Sequence, residues 1–509
     1  MLSRRDAIKW FGSGLAATGF GGFAYAAPRR EAIAPFPTSA IDEYLDKARR
    51  DWNAPGLAFA IVRDGAPIYA KGFGFANVEN RTPVNADTIF NVGSTTKAFT
   101  AAAIAIAVDE GKLSWDTPVR EYLPSFRMGH GDDYASVNLR DMMSHRTGLG
   151  RHDLLWYNNK NLSREVLLAH LPYLEVFAPL RARYEYNNLM VMLSGHALEK
   201  VAGVAWEDYV KAKIFTPLGM ARTNSSCDEM VAAGNHANGH RLRNRTEQYS
   251  IPLRPEDRIG PAGAINSSVN DYAKWIALQL GKGMFGEVRV FSNAQSNTMW
   301  EPSVMAGGVP SSPELSRGYY GLGWRIDNYR GMTRVAHGGN LNGFASRVTL
   351  FPEKNLGFVA FVNLGASPLP GHATLDVTDM LLGLEPANWS ARNLARRNAP
   401  PAPMVLPQPI RNTRPSHVLA EYTGRYNNKG YGDLIIGFSE STLTASYNEM
   451  PMRLEHWHYD VFNAINLRGE DSDLRNIKFV FATDVDGKIS SFTAKMDETT
   501  PPVLFERVT

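Results

Sequence analysis

Between Ser94 and Glu110 the chain is apolar on every side of a helical turn, and this one segment limits what the molecule can fold into. Phe99, Ala101, Ala102, Ile104, Ile106 and Val108 leave no face for water, so the helix has to be wrapped by other elements. Gly111 follows as a C-terminal cap. With 509 residues the chain has ample material for that wrapping, enough for about two to four domains.

The wrapping elements lie on both sides of it. A helix begins near Ile41, where Ile41, Tyr44, Leu45 and Ala48 share a face. Leu57 to Val62 and Pro67 to Phe75 have strand composition and are joined by Arg63-Asp64-Gly65-Ala66, a hairpin turn. The middle, 115–300, is helix-dominated, with patterns over Leu189 to Val201, Trp206 to Ile214 and Ser268 to Leu280. Strand character returns at Thr333 to Ala336, Ala345 to Phe351 and Gly357 to Asn363. Strands at both ends of a helical middle predict one sheet built from the two chain ends, with the buried helix packed on it, an α+β (α/β layered) domain.

The two ends of the chain have a different texture. Arg4-Arg5, a weak Gly/Ala-rich apolar stretch from Trp10 to Ala27 and the Ala24-Tyr25-Ala26 site read as a twin-arginine signal peptide over 1–27. The mature protein is therefore expected to be periplasmic or secreted, with no stable membrane span. Six prolines between Pro400 and Pro415 mark a linker over 393–416. Beyond it, 417–509 breaks into about eight short alternating segments, the pattern of a small all-β barrel.

Several function classes drop out. Net charge is +3 with no Lys/Arg run, so nucleic acid is not an expected partner. The single cysteine, Cys227, excludes an internal disulfide framework. His236/His240 and His456/His458 have pairwise metal-like spacing but no further ligands, so no metal and no cofactor are expected. Neither a phosphate-binding G-x-x-x-x-G-K-[ST] loop nor a G-x-S-x-G elbow occurs.

What remains is serine chemistry. Ser94-Thr95-Thr96-Lys97 opens the buried helix, and residues three apart share a face, so Ser94 and Lys97 meet. An ammonium among apolar side chains is costly, so Lys97 should have a lowered pKa and be able to exchange a proton with Ser94. The helix N-terminus favours developing negative charge there, and the Ser94 N–H can act as an oxyanion donor.

Further phrases fall in order along the chain: Met142 to Leu149, Tyr186-Asn187-Asn188, Pro261-Ala262-Gly263, Tyr320-Gly321-Leu322-Gly323-Trp324 and Ala336-His337-Gly338-Gly339-Asn340. Over roughly 40–390 they resemble the serine β-lactamase and penicillin-binding-protein superfamily, in particular its class C-like branch. Tyr-x-Asn also occurs at Tyr157 and Tyr426, but only Tyr186 precedes a patterned helix. The resemblance implies a β-lactamase/transpeptidase-like domain over 39–392 with an antiparallel sheet and a helical subdomain, followed by a lipocalin-like β-barrel over 417–509. It implies Ser94 as nucleophile, with Lys97 and Tyr186 as the acid–base pair. Asn188 and His337 would position substrate at a strand carrying Gly339, and the Asn340 N–H would be the second oxyanion donor.

The family's third motif is Lys-Thr-Gly or His-x-Gly, and this chain carries the second form at His337, without the Lys-Thr-Gly of true β-lactamases. A neutral or partly charged histidine is a weaker partner for a substrate carboxylate than lysine. The expectation is therefore an exported hydrolase acting through an acyl-enzyme on a small-molecule or short-peptide amide or ester, D-amino-acid peptides included. A β-lactamase, a D-alanyl-D-alanine carboxypeptidase and a non-catalytic penicillin-binding-like sensor remain as rivals, and a homo-oligomer stays open.

Overall fold

The computed structural model describes residues 36–129, 133–159, 162–254, 257–310, 312–399, 407–466, 477–497 and 500–508. The N-terminal 1–27 segment lies outside them. The chain divides after Pro37, and everything from Thr38 onward forms one unit.

Helix α1 (Thr38–Asp51) leads into the hairpin β1 (Gly56–Arg63) and β2 (Ala66–Asn77), followed by the short β3 (Thr82–Pro83) and the helix α2 (Thr96–Asp109). The helical middle includes α3 (Asn188–Ala202) and α4 (Val269–Leu280). Six strands follow: β4 (Val304–Met305), β5 (Tyr319–Tyr320), β6 (Arg325–Tyr329), β7 (Met332–Leu341), β8 (Phe344–Phe351) and β9 (Leu356–Val362). They form an antiparallel nine-stranded sheet in the order β4-β5-β6-β7-β8-β9-β1-β2-β3. The two chain ends meet where Leu57 of β1 pairs with Val362 of β9, so the expected closure of one sheet from both ends holds.

Both faces of this sheet are covered. Leu356–Val362 is buried at every residue, which explains why it reads as a continuous apolar run instead of alternating. On one face Ile276 and Leu280 of α4 press on Gly357. On the other lies α5 (Leu369–Leu382), where Thr374 meets Thr349 of β8 and Asp376 takes the Tyr44 hydroxyl of α1 at 2.6 Å. Helix α2 has twelve of its fourteen residues buried, and Phe99 stacks on Trp275 of α4 with centroids 3.8 Å apart.

One boundary and one burial pattern differ from expectation. The sequence places the end of the catalytic domain at 392, but α6 (Trp389–Asn398) continues through 398. The Asp376 carboxylate accepts the N–H groups of Trp389 and Ser390 and anchors that helix to α5. Helix α3 is buried along one continuous run, Asn188 to Leu198, instead of on a single face. Among its polar members, Ser194 donates to the Met190 carbonyl and His196 Nδ1 faces Glu199.

The C-terminal strands β10 (Gly424–Asn428), β11 (Gly432–Ser439), β12 (Thr442–Tyr447), β13 (Met450–His458), β14 (Val461–Asn466), β15 (Lys478–Thr483), β16 (Ile489–Ala494) and β17 (Val503–Val508) close into a barrel. A bulge between His456 and His458 interrupts the strand alternation that would have put both on one side. Tyr426 lies inside the barrel, its hydroxyl donating to the Tyr422 carbonyl. The barrel docks through the turn between β12 and β13. There Asn448 donates to the carbonyls of Leu154 and Tyr157, while Asn158 and Asn159 donate back to it. Beside it the Tyr431 hydroxyl pairs with His152 at 2.7 Å.

Truncating the stacked ring in the Phe99→Ala variant should cost about 3–5 kcal/mol, because the surrounding helices cannot collapse onto the void. Chemical denaturation measures it, and an unchanged midpoint would contradict the central placement of α2.

Candidate active site

Ser94 sits in a single 3₁₀ turn, Gly93–Thr95, that runs straight into α2. Gly93 has φ 53°, and a Cβ there would stand 2.9 Å from the Asn340 nitrogen of β7. Only glycine lets the turn press this closely on the strand. Asn91 fixes the turn by accepting the Gly93 N–H at 2.9 Å and donating to Asn266 at 3.0 Å. Ser346 of β8 donates to the Val92 carbonyl at 2.6 Å. The backbone around Ser94 is thereby held from both sides.

One helical turn on, the Lys97 side chain is fully buried. Its Nζ lies 2.9 Å from Ser94 Oγ, 2.8 Å from Asn188 Oδ1 and 2.7 Å from the Ala262 carbonyl. Burial holds its pKa well below the usual lysine range, and the nearby Arg151 pushes the same way. A neutral amine has two N–H donors and one lone pair. The two carbonyl oxygens take the donors, which leaves the lone pair to accept the Ser94 hydroxyl proton. Pro261-Ala262-Gly263 thus supplies one of the amine's acceptors, and the neighbouring Pro261 carbonyl accepts from Thr100 of α2.

Tyr186 reaches the same point from the residue before the α3 cap, Asn187, whose side chain accepts the Met190 N–H. Its phenol hydrogen-bonds Ser94, and burial raises its pKa above the ordinary tyrosine value, so it stays protonated. Lys97 Nζ stands 4.9 Å from its ring centroid. A base and a phenolic acid therefore flank one hydroxyl, an arrangement able to take a proton from Ser94 and return one to a leaving group.

The sheet side contributes mainly backbone. Gly339 packs against the Val92 carbonyl, and the Asn340 nitrogen lies against Gly93, while the Asn340 side chain turns away to accept the Ala366 N–H. His337 is buried with both ring nitrogens occupied: Nδ1 faces the Gly338 carbonyl at 2.7 Å and Nε2 faces the Tyr320 hydroxyl at 2.7 Å. Its imidazole braces Tyr320. Burial keeps it uncharged, as it does His145. The His145 ring packs against Tyr186 and Tyr320 and accepts the Asn187 N–H on Nδ1.

Two residues of the site carry no signal in the motif reading. Asp153 accepts from the Asn188 amide at 3.0 Å and from the Trp156 indole at 3.1 Å. Its other oxygen accepts Arg151 Nε at 2.7 Å, and the Arg151 guanidinium lies 5.1 Å from the Tyr186 ring centroid. An unbroken hydrogen-bonded path runs from Arg151 through Asp153, Asn188 and Lys97 to Ser94. Both ends of the Asn188 amide are engaged along it. Arg151 and Asp153 directly follow Gly148-Leu149-Gly150, and that adjacency is the one hint they offered. The alternative Tyr157 accepts from Arg254 instead.

The sequence profile of the Beta-lactamase family matches residues 41–377. This chain belongs to the beta-lactamase family. Residues 408–507 match a domain of unknown function, DUF3471. Among curated proteins, this beta-lactamase family member is 30% identical over 428 residues to "Unguisins hydrolase ungD'" of Aspergillus campestris, with 79% of the chain and 77% of that protein covered. It is 25% identical over 345 residues to "Protein flp" of Staphylococcus aureus, with 65% and 64% covered. The octameric penicillin-binding protein homologue from Pyrococcus abyssi shares its fold over 92% of the chain and 100% of that structure, with TM-score 0.63 and 23% identity. The D-amino acid amidase from Ochrobactrum anthropi does so over 70% and 99%, with TM-score 0.58 and 19% identity. The family is one of serine hydrolases, and membership fixes the fold and that broad chemistry without fixing a substrate.

The lowered Lys97 pKa has a stability consequence. Below the ordinary lysine value of 10.5 the unfolded chain binds a proton that the native amine does not, so this residue costs stability as pH falls toward its native pKa. The melting temperature of Lys97→Met should therefore gain on the parent's as pH is lowered from about 10 to about 7. A difference that stays constant across that window would mean that Lys97 is charged in the native state.

Proposed function

We propose that this chain is an exported serine hydrolase that works through an acyl-enzyme on small amides or esters, short peptides with D-amino acids among them. The observation that carries the reading is the buried Lys97 amine, with two carbonyl acceptors on its donors and Ser94 Oγ at 2.9 Å. Ser94 Oγ attacks the carbonyl carbon while its proton passes to Lys97 Nζ. The N–H groups of Ser94 and Asn340 hold the resulting oxyanion. As the tetrahedral intermediate collapses, the Tyr186 phenol protonates the leaving amine or alcohol and is reprotonated from Lys97. Water then attacks the acyl carbon while the same pair takes its proton, and the bond to Ser94 Oγ breaks as that proton is returned to Oγ, releasing the acid.

Hydrolysis is supported by the two Aspergillus relatives, both named as hydrolases at 30% identity. Export is supported by the paired arginines and the Ala24-Tyr25-Ala26 site. Among the described residues no helix is long and apolar enough to cross a membrane. The amide-and-ester assignment draws on His337 standing where true β-lactamases place a lysine.

The test is turnover of a panel of p-nitrophenyl esters and D- and L-aminoacyl p-nitroanilides by the mature protein and by Ser94→Ala. Repeated turnovers that fall by about a thousandfold or more in the variant are expected. Equal activity in Ser94→Ala would remove the nucleophile assignment, and a wild-type protein that halts after one acylation per site would be a sensor.

A further inference from the structure

His145 is a buried titratable group that the mechanism above leaves unused, and it stands against the phenol that the mechanism needs. Residues 184–187 belong to no helix or strand, so no regular hydrogen-bond pattern sets the direction of Tyr186. Two bonds hold the chain there, one on each side of Tyr186, and both end on His145. The Glu185 N–H donates to the His145 carbonyl at 2.8 Å, and the Asn187 N–H donates to Nδ1 at 3.2 Å. Between them the Tyr186 ring lies against the imidazole, with centroids 4.4 Å apart.

The turn that presents His145 is tied to the same segment a second time. Asp141, fully buried, is paired with Arg146 at 2.7 Å and with Arg181 at 2.8 Å. The Arg181 N–H also donates to the Arg146 carbonyl at 2.7 Å. His145 and Tyr186 are thereby kept at a fixed separation.

An imidazole is not the easiest ring to place here. His145 has φ 61°, in the left-handed region that most side chains avoid. Burial keeps the ring uncharged, and an accepting Nδ1 leaves its one proton on Nε2. That buried nitrogen has no hydrogen-bond partner among the described residues. An apolar ring of similar size would pack against Tyr186 and Tyr320 without an orphaned donor. What the imidazole adds is the acceptor for Asn187.

We infer that His145 is a positioning residue whose Nδ1 acceptor holds the Tyr186 phenol at Ser94, so that its loss falls on proton delivery to the leaving group. This rests on the hydrolase reading and deepens it.

The experiment measures kcat/KM for a p-nitrophenyl ester and the ethyl ester of the same acyl group, in wild type, His145→Phe and His145→Asn. p-Nitrophenolate departs without a proton, whereas ethoxide has to be protonated as it leaves. Phenylalanine keeps a ring and removes the acceptor. Asparagine removes the ring and puts Oδ1 where Nδ1 was, on a residue that tolerates the left-handed backbone. In His145→Phe the ethyl ester should lose about 100-fold and the p-nitrophenyl ester no more than about threefold. His145→Asn should keep the ratio of the two near that of wild type. If His145→Phe does not fold, His145→Ala removes the acceptor without adding bulk and is read in the same way. An unchanged ratio in the acceptor-free variant, or a ratio in His145→Asn as low as in that variant, overturns the inference and leaves the hydrolase reading standing. A wild type that turns over neither ester overturns the hydrolase reading, and this inference with it.

Discussion

The structure turns on a single buried amine. The Lys97 side chain is fully buried, and its Nζ lies within hydrogen-bond distance of Ser94, Asn188 and the Ala262 carbonyl. Desolvation makes the charged form expensive, while the two carbonyl acceptors suit the neutral one. Each of the three neighbours comes from a different element, so the amine is satisfied only when the turn before α2, the start of α3 and the Pro261 turn are all in place. Tertiary assembly and chemical competence are the same event at this residue.

The rest of the fold can be read as support for that event. Helix α2 has to be apolar on every side because α4, α3 and the sheet close around it, and its burial is what dries Lys97. Gly93 and Gly339 let β7 approach the nucleophile turn, and a Cβ on Gly323 would come within 2.7 Å of the Lys97 carbonyl. Behind β7, His337 and Tyr320 brace each other. The barrel takes part from a distance, since Asn448 binds the 154–159 segment directly after the loop that carries Arg151 and Asp153.

Much of this was legible in residue order alone. Ser94 and Lys97 share a helical face, Tyr186 stands before a patterned helix, and strands at both chain ends pointed to one sheet. What stayed hidden depends on contacts between distant segments. Arg151 and Asp153 are ordinary loop charges until Asn188 and Tyr186 arrive beside them. The pairing of His337 with Tyr320 joins two strands and has no trace in either motif alone. The pattern over Leu189 to Val201 does not tell that α3 is buried from Asn188 to Leu198, because that depends on the elements packed around it. Helix α6 crosses the expected boundary at 392 because Asp376, thirteen residues before Trp389, accepts its first N–H groups.

The protonation state of Lys97 can be observed directly by NMR of protein labelled with ¹³Cε/¹⁵Nζ-lysine, with Lys97→Met to assign the signal. One lysine should show the shifts of a neutral amine near pH 7, and that signal should be absent from the variant. If every lysine, Lys97 included, kept ammonium shifts up to about pH 10, the amine could not accept the Ser94 proton and the central claim would fail.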